Sequence, residues 1–485
     1  MPTHEVYPVG DLLAQVDPEG RLAACGLRRL VLGSGAIETV ADTVAELLVG
    51  GDGSAHQPAT VTLLIDPVPM TRLGVDVKQL VEDRLAERYD VRRVVLDDGH
   101  PELHVVDDVV RQATEACTGA AAVVALGGGT ISDIGKLAAA GCAEPPVVVT
   151  VQTAASVDGF TDDVSVLLRD GVKRTVPARW PDAVVADSET IAQAPSRMNR
   201  AGFGEMTSML TAPADWRLAS LAGTDPTFHE GPIRLLGMVG EDLTTWAPGV
   251  RAGDPDSVAA LTKALALRGV VTGVSGTTAV LSGVEHLVSH MLDQHHTAHH
   301  QPMGLHGAQV GAAAVVAAAA WELLFERLAA RPGARVEAAA CDADQARRRV
   351  EEAFAGLGEG IAAECWRDYA RKLGALRAST SLAGLLAGWP THEPGLRRLV
   401  RPSAEIAAGL LAAGAPATPD ELDPRVPAEL WRWAVANCAL MRNRVTVVDL
   451  LMLLGWWRDA DVDEVLARAA QAVARAAAEP AEATR

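Results

Sequence analysis

Hydrophobic positions follow two patterns along this chain, and the pattern changes near residue 195. Before it, short apolar or β-branched runs recur at residues 29–32, 60–65, 93–96, 121–126, 146–151 and 183–186. Helix-spaced stretches at 40–48, 77–87 and 105–117 lie between them. Apolar runs this short suit strands buried on both faces, and intervening helices supply the crossovers. The pattern predicts a parallel sheet covered on both sides. After residue 195 strand signals thin out and Ala-, Leu- and Arg-rich helical segments take over. We expect an α/β domain over 1–195 and an all-α domain over 196–485. Residues 248–256 and 389–402 are expected to be loops or insertions. The tail 464–485 is expected to be a helix that frays at its end.

The chain has 485 residues, 49% of them hydrophobic, enough for a large core and two or three domains at roughly 100–200 residues each. Lys+Arg 43 against Asp+Glu 62 leaves a net charge of −19. Such a surface repels phosphate backbones and anionic lipid. That excludes a dedicated nucleic-acid or membrane-surface protein, while a local pocket for one small anion stays open. Cys25, Cys117, Cys142, Cys341, Cys365 and Cys438 form no C-x-x-C pair and read as buried thiols of a reducing cytosol. No basic start leads into an apolar run at the N-terminus. The greasiest stretch, 310–321, is about 12 residues, too short to span a bilayer. The expectation is a cytoplasmic protein acting on a small molecule.

Residues 123–136 read VVALGGGTISDIGK: a strand, three glycines, then a helix start. Glycine lets the backbone approach a phosphate, and a helix N-terminus offers free N–H groups, so the turn suits a pyrophosphate. It is not the G-x-G-x-x-G fingerprint, and a ligand-free turn fits the same letters. Asp66 ends the strand at 60–65. There a carboxylate can bind a ribose diol and repel a 2′-phosphate, favouring NAD over NADP; a plain turn-forming Asp before Pro67 fits equally.

The stretch 282–311 holds the densest chemistry. His286 and His290 are four apart, so a helix puts both on one face. His306 follows before Gly307, and Glu205 follows a glycine turn at 201–205. Two imidazoles and a carboxylate with an open position make a catalytic zinc-type set. A surface or core His pair has the same spacing. His295, His296, His299 and His300 are expected to form a solvated loop.

In order, these segments resemble the sn-glycerol-1-phosphate dehydrogenase branch of the superfamily of iron-containing alcohol dehydrogenases and dehydroquinate synthases. The resemblance rests on the 127–136 turn, TAASVDG at 153–159, GVKRT at 171–175, AGFGE at 201–205 with ADW at 214–216, 285–290, LHG at 305–307, and RNRVTVVD at 442–449. It runs from roughly residue 30 to 466, with extra material around 225–260 and 330–400. It implies a dehydroquinate-synthase-like fold, a Rossmann-like NAD-binding domain plus an all-helical metal- and substrate-binding domain, and a homodimer. It implies that Gly128, Gly129, Thr130 and Asp133 hold the NAD pyrophosphate region, that Thr153 and Ser156 touch the cofactor, and that Asp158 meets substrate hydroxyls. Glu205, His286 and His306 would bind one divalent metal, zinc by preference. His290 would lie beside the substrate as a proton relay, and Lys173 would meet a substrate phosphate.

Three positions depart from the branch: Glu205 stands for Asp, Met209 for Lys, and Asp162, near the nicotinamide, for Ser. The first leans towards dehydroquinate synthases; the other two make the pocket less welcoming to phosphate. Three activities follow as expectations. The first is an NAD-dependent polyol-phosphate dehydrogenase. The second is a phosphate-eliminating sugar-phosphate cyclase using NAD transiently. The third is a non-catalytic nucleotide-binding relative.

Overall fold

In the computed structural model, which describes residues 3–48, 58–100, 102–169, 172–240 and 243–478, all six apolar runs become strands of one sheet. The strands are β1 (Thr3–Val6), β2 (Arg29–Ser34), β3 (Thr60–Ile65), β4 (Thr71–Arg72), β5 (Val75–Asp76), β6 (Asp90–Val95), β7 (Ala122–Gly127), β8 (Val147–Gln152), β9 (Val164–Arg169), β10 (Val172–Pro177) and β11 (Ala183–Asp187). The seven-stranded sheet runs β1-β2-β11-β8-β7-β3-β6. Every pairing from β2 to β6 is parallel, and β1 joins β2 antiparallel. Helices Val40–Leu48 and Val77–Ala86 bury apolar residues against one face, and Asp107–Cys117 and Gly129–Gly141 against the other. The chain runs from β3 out to β6, then returns past β3 to β7 and on to β8. The order therefore reverses between β3 and β7, and in open α/β sheets such a switch point is where ligands settle. Asp66 and the glycine turn flank it.

The chain divides into two compact units that are not separated by a single cut near residue 195. Unit one is Met1–Gly202 with Gly231–Gly276; unit two is Phe203–Glu230 with Thr277–Arg485. Residues 231–276 return to the sheet unit because the helix Pro255–Ser275 packs on the helix Ser188–Ala192 and on β2. Two expected loops are largely helical. Pro248 lies inside Leu243–Ala252, and Pro394 inside Trp389–Arg397. A proline removes one ladder hydrogen bond, and the surrounding helix persists here regardless.

All described elements of unit two are helices. His306–Ala330 runs through its core and packs on Val284–Ala298, Ser403–Ala413 and Asp459–Ala478. It is long and apolar enough to cross a membrane, but 94% of its most apolar window is buried within the protein, as in a core helix. The tail helix is Asp459–Ala478; the expected fraying beyond it lies outside the described residues. The polar histidines are not a loop. His295 and His296 occupy the last turn of Val284–Ala298, and His299 caps it.

Candidate metal centre and nucleotide turn

Three segments of unit two bring Glu205, His286 and His306 together. Glu205 lies near the end of the helix Ser196–Met206, His286 in the first turn of Val284–Ala298, and His306 opens His306–Ala330. One ligand atom from each lies within 4.8 Å of the other two. His286 Nε2 is 3.2 Å from Glu205 Oε1, and His306 Nε2 is 3.8 Å from Glu205 Oε2. His290, one turn beyond His286, stacks on His306 with ring centroids 5.7 Å apart at 20°. It borders the cluster without belonging to the donor set.

Each imidazole has a second partner at the ring nitrogen away from Glu205. Ser289 Oγ donates to Gln309 Oε1 at 2.7 Å, so it accepts from His306 Nδ1 at 2.9 Å. That leaves the His306 Nε2 lone pair facing Glu205. Glu285, fully buried, accepts from Gly283 N–H at 2.6 Å and Thr211 Oγ1 at 2.9 Å, and its Oε1 lies 3.1 Å from His286 Nδ1. His286 thus faces a carboxylate at both ring nitrogens. Burial alone would lower its pKa, but Glu205 and Glu285 outweigh burial and raise it to about 9. Either a second proton or a cation must sit between Nε2 and Glu205, since two acceptors repel. A borderline divalent ion suits this set of one carboxylate and two imidazoles, and oriented rings are what metal sites use. The residues fit the metal.

Further support comes from residues with no motif of their own. Asp215, fully buried, accepts from Val284 N–H at 3.1 Å and Val447 N–H at 2.8 Å, which ties the start of the histidine helix to the late RNRVTVVD segment. Burial, then the neighbouring Glu285, raises the Asp215 carboxyl well above its usual range. Arg444 donates to Ser282 O and, at 2.6 Å, to Thr278 Oγ1. Burial pushes its guanidinium down to about 10. Lys372, from the extra segment 330–400, lies 2.7 Å from Asp449, and both are buried. The sequence marked RNRVTVVD without a role; Thr211, Ser289, Gln309 and Lys372 carry no local signature. Met209 is buried.

In unit one, Gly128 caps the helix Gly129–Gly141 without a side-chain hydrogen bond, so amides of the first turn remain available. A β-carbon on Gly128 would meet only Met198 Cε, at 4.0 Å, whereas one on Gly129 would lie 3.0 Å from Val157. Thr130 sits half-buried in that first turn. Thr153 donates its N–H to Gly127 O at 3.1 Å, and both Thr153 and Ser156 are buried. An uncapped helix start approached by glycine fits a dinucleotide pyrophosphate.

Several carboxylates are already engaged. Asp66 follows β3 as expected, and Lys78 Nζ lies 2.6 Å from its Oδ1. Asp133 Oδ2 accepts from Val166 N–H at 3.1 Å, pinning β9. Asp162, expected near the nicotinamide as an anion that makes the pocket less welcoming to phosphate, has its Oδ1 2.8 Å from Lys136 Nζ in a buried pair. Burial raises this carboxyl to about 7 against the pull of Lys136. Asp158 Oδ2 lies 3.1 Å from Arg268 Nη2. Lys173 lies in β10 opposite Leu168 of β9, and its side chain falls outside the described residues.

The family described as iron-containing alcohol dehydrogenase matches residues 32–195. A glycerol-1-phosphate dehydrogenase [NAD(P)+] of Haloquadratum walsbyi is 33% identical over 276 residues, 56% of this chain and 76% of that protein. One of Pyrococcus horikoshii is 29% identical over 292 residues, 60% and 78% of the two chains. Among solved structures, maleylacetate reductase from Rhizobium sp. strain MTP-10005 superposes with a TM-score of 0.53 at 18% identity, covering 93% of this chain and 97% of the other. Glycerol dehydrogenase from Schizosaccharomyces pombe gives 0.52 at 14%, covering 93% and 89%. At such identities these two structures speak for the fold alone.

Proposed function

The chain belongs to the iron-containing alcohol dehydrogenase family, on its glycerol-1-phosphate dehydrogenase branch, and from that premise we propose that it interconverts glycerol 1-phosphate and dihydroxyacetone phosphate, or a close polyol phosphate and its ketone. The observation that carries this reading is the meeting of Glu205, His286 and His306 within 4.8 Å, each imidazole oriented by its own partner. A divalent ion bound there, zinc in our reading, supplies Lewis-acid stabilisation of negative charge on the reacting oxygen. NAD(H) supplies or accepts the hydride.

The chain's own residues do the rest. Amides at Gly128, Gly129 and Thr130 bind the pyrophosphate. Thr153 and Ser156 contact the cofactor. Asp133 and Asp162 act indirectly: Asp133 holds β9 against the glycine-turn helix, and Asp162 ties its own turn to Lys136 of that helix. Asp66 selects NAD(H) over NADP(H) through its charge. Asp158 accepts hydrogen bonds from substrate hydroxyls, and Lys173 meets the phosphate. His290 takes up the hydroxyl proton on a ring nitrogen during oxidation and returns it during reduction, which suits the imidazole range. From the family resemblance we carry over a homodimer. The free and mostly buried cysteines support a cytoplasmic setting.

Glu205 in place of Asp favours one second reading, a phosphate-eliminating cyclase that regenerates NAD within each turnover. Stoichiometry separates the two. With zinc and dihydroxyacetone phosphate, one NADH consumed per ketone reduced, without phosphate release, supports the dehydrogenase. Phosphate release from a sugar phosphate at constant total NAD would replace it with the cyclase.

A further inference from the structure

Residues 158–162 are gripped by two fully buried cations. Lys136 donates to Gly159 O at 2.7 Å, to Asp162 Oδ1 at 2.8 Å and to Val164 O at 2.5 Å. Arg268 comes from the helix Pro255–Ser275 and holds Asp158 Oδ2 at 3.1 Å. The helix and the turn touch closely. A β-carbon on Gly269 would lie 2.3 Å from Asp158 O and 2.2 Å from Thr161 Oγ1, and that hydroxyl donates to Ala266 O at 2.6 Å. Arg268 therefore has little freedom to move away from Asp158. Side-chain exposure is 0% for both cations, 6% for Asp162 and 19% for Asp158. Asp158 is the member of the two ion pairs that reaches solvent.

A buried guanidinium stays charged, and burying it is costly without a partner. An apolar side chain would fill the same volume without that penalty. The arginine does what an apolar residue cannot: it pairs with the Asp158 carboxylate and holds it in one orientation. A carboxylate offers about four lone-pair sites, and the 19% exposure of Asp158 puts it within reach of a substrate hydroxyl.

We propose that Arg268 is a positioning residue that fixes Asp158 for the substrate hydroxyl without touching substrate itself. This rests on the reading of Asp158 as the hydroxyl acceptor. It gives the helix Pro255–Ser275 a role in substrate recognition.

The test is a double-mutant cycle on zinc-loaded protein with dihydroxyacetone phosphate and NADH, using Asp158→Asn, Arg268→Lys, Arg268→Met and the Asp158→Asn double variants. Expected is a loss of kcat/KM of about tenfold or more in each single variant, the size of one hydrogen bond to a charged group, with KM rising more than kcat falls. NADH affinity, read by fluorescence titration, should stay within about twofold, because no cofactor contact is removed. In the Asp158→Asn background either Arg268 change should cost less than about twofold further, the signature of a shared interaction. Additive losses, or an Arg268 variant with wild-type kcat/KM beside an impaired Asp158→Asn, would overturn the role of Arg268 alone. An unimpaired Asp158→Asn would overturn both the hydroxyl contact and the proposal. Should Arg268→Met fail to fold, Arg268→Lys completes the cycle.

Discussion

Gly204 and Gly307 meet backbone to backbone: a β-carbon on Gly204 would lie 2.2 Å from the Gly307 carbonyl oxygen. This approach sets Glu205, one residue later, beside His306, one residue earlier. Gly204→Ala must push the two helices apart. It should destabilise the fold by about 1–3 kcal/mol through overpacking. It should also weaken metal binding. Thermal melting and chelator competition read the two effects; a variant with wild-type values for both would contradict the packing account.

Glu285 orients His286 from the side away from Glu205. Glu285→Gln keeps the shape and removes the charge. Metal affinity should fall about 10–100-fold, the usual weight of such an outer partner. Competition with a chromogenic chelator measures it, and unchanged affinity would mean that the Glu285 contact does not tune the ligand.

Burial decides which thiols react. It pushes Cys117 and Cys365 up to about 12 and Cys438 further still. A raised thiol pKa leaves the neutral form dominant at pH 8, and only the thiolate is nucleophilic. Cys25 and Cys341 are half-buried; Cys117, Cys142, Cys365 and Cys438 are buried. Ellman's reagent at pH 8 should therefore titrate Cys25 and Cys341 in the native protein and the other four only after unfolding. Rapid native modification of Cys438 would refute the packing around it.

Asp66 is bonded to Lys78, which tempers its repulsion of a 2′-phosphate. Asp66→Asn removes the anion and leaves the lysine charge in place. The ratio of kcat/KM for NADPH over NADH should rise about tenfold, equivalent to ~1.4 kcal/mol. A ratio that does not move would take Asp66 out of cofactor selection.

Much of the sheet was legible because its strands are buried on both faces and leave short apolar runs, as at β3 and β7. The hairpin β9–β10 was not, since Lys173 and Arg174 interrupt its apolar pattern. Nor was β1, whose Thr3–Val6 residues are all exposed at the sheet edge. Glu205, His286 and His306 could be picked out because imidazoles and a carboxylate in glycine-bordered segments have a chemical signature. Their supports could not. Lys372 finds Asp449, Arg268 finds Asp158, and Asp215 finds the Val447 amide only through the fold, and nothing local marks a side chain whose partner is so distant in sequence.

The central claim is that Glu205, His286 and His306 share one ion. An anomalous difference map from crystals of the zinc-loaded protein tests it most directly. The account predicts one strong peak with a Glu205 oxygen, a His286 nitrogen and a His306 nitrogen each about 2.0–2.2 Å away. Zinc bound elsewhere, with no peak among these three side chains in a catalytically active preparation, would contradict it.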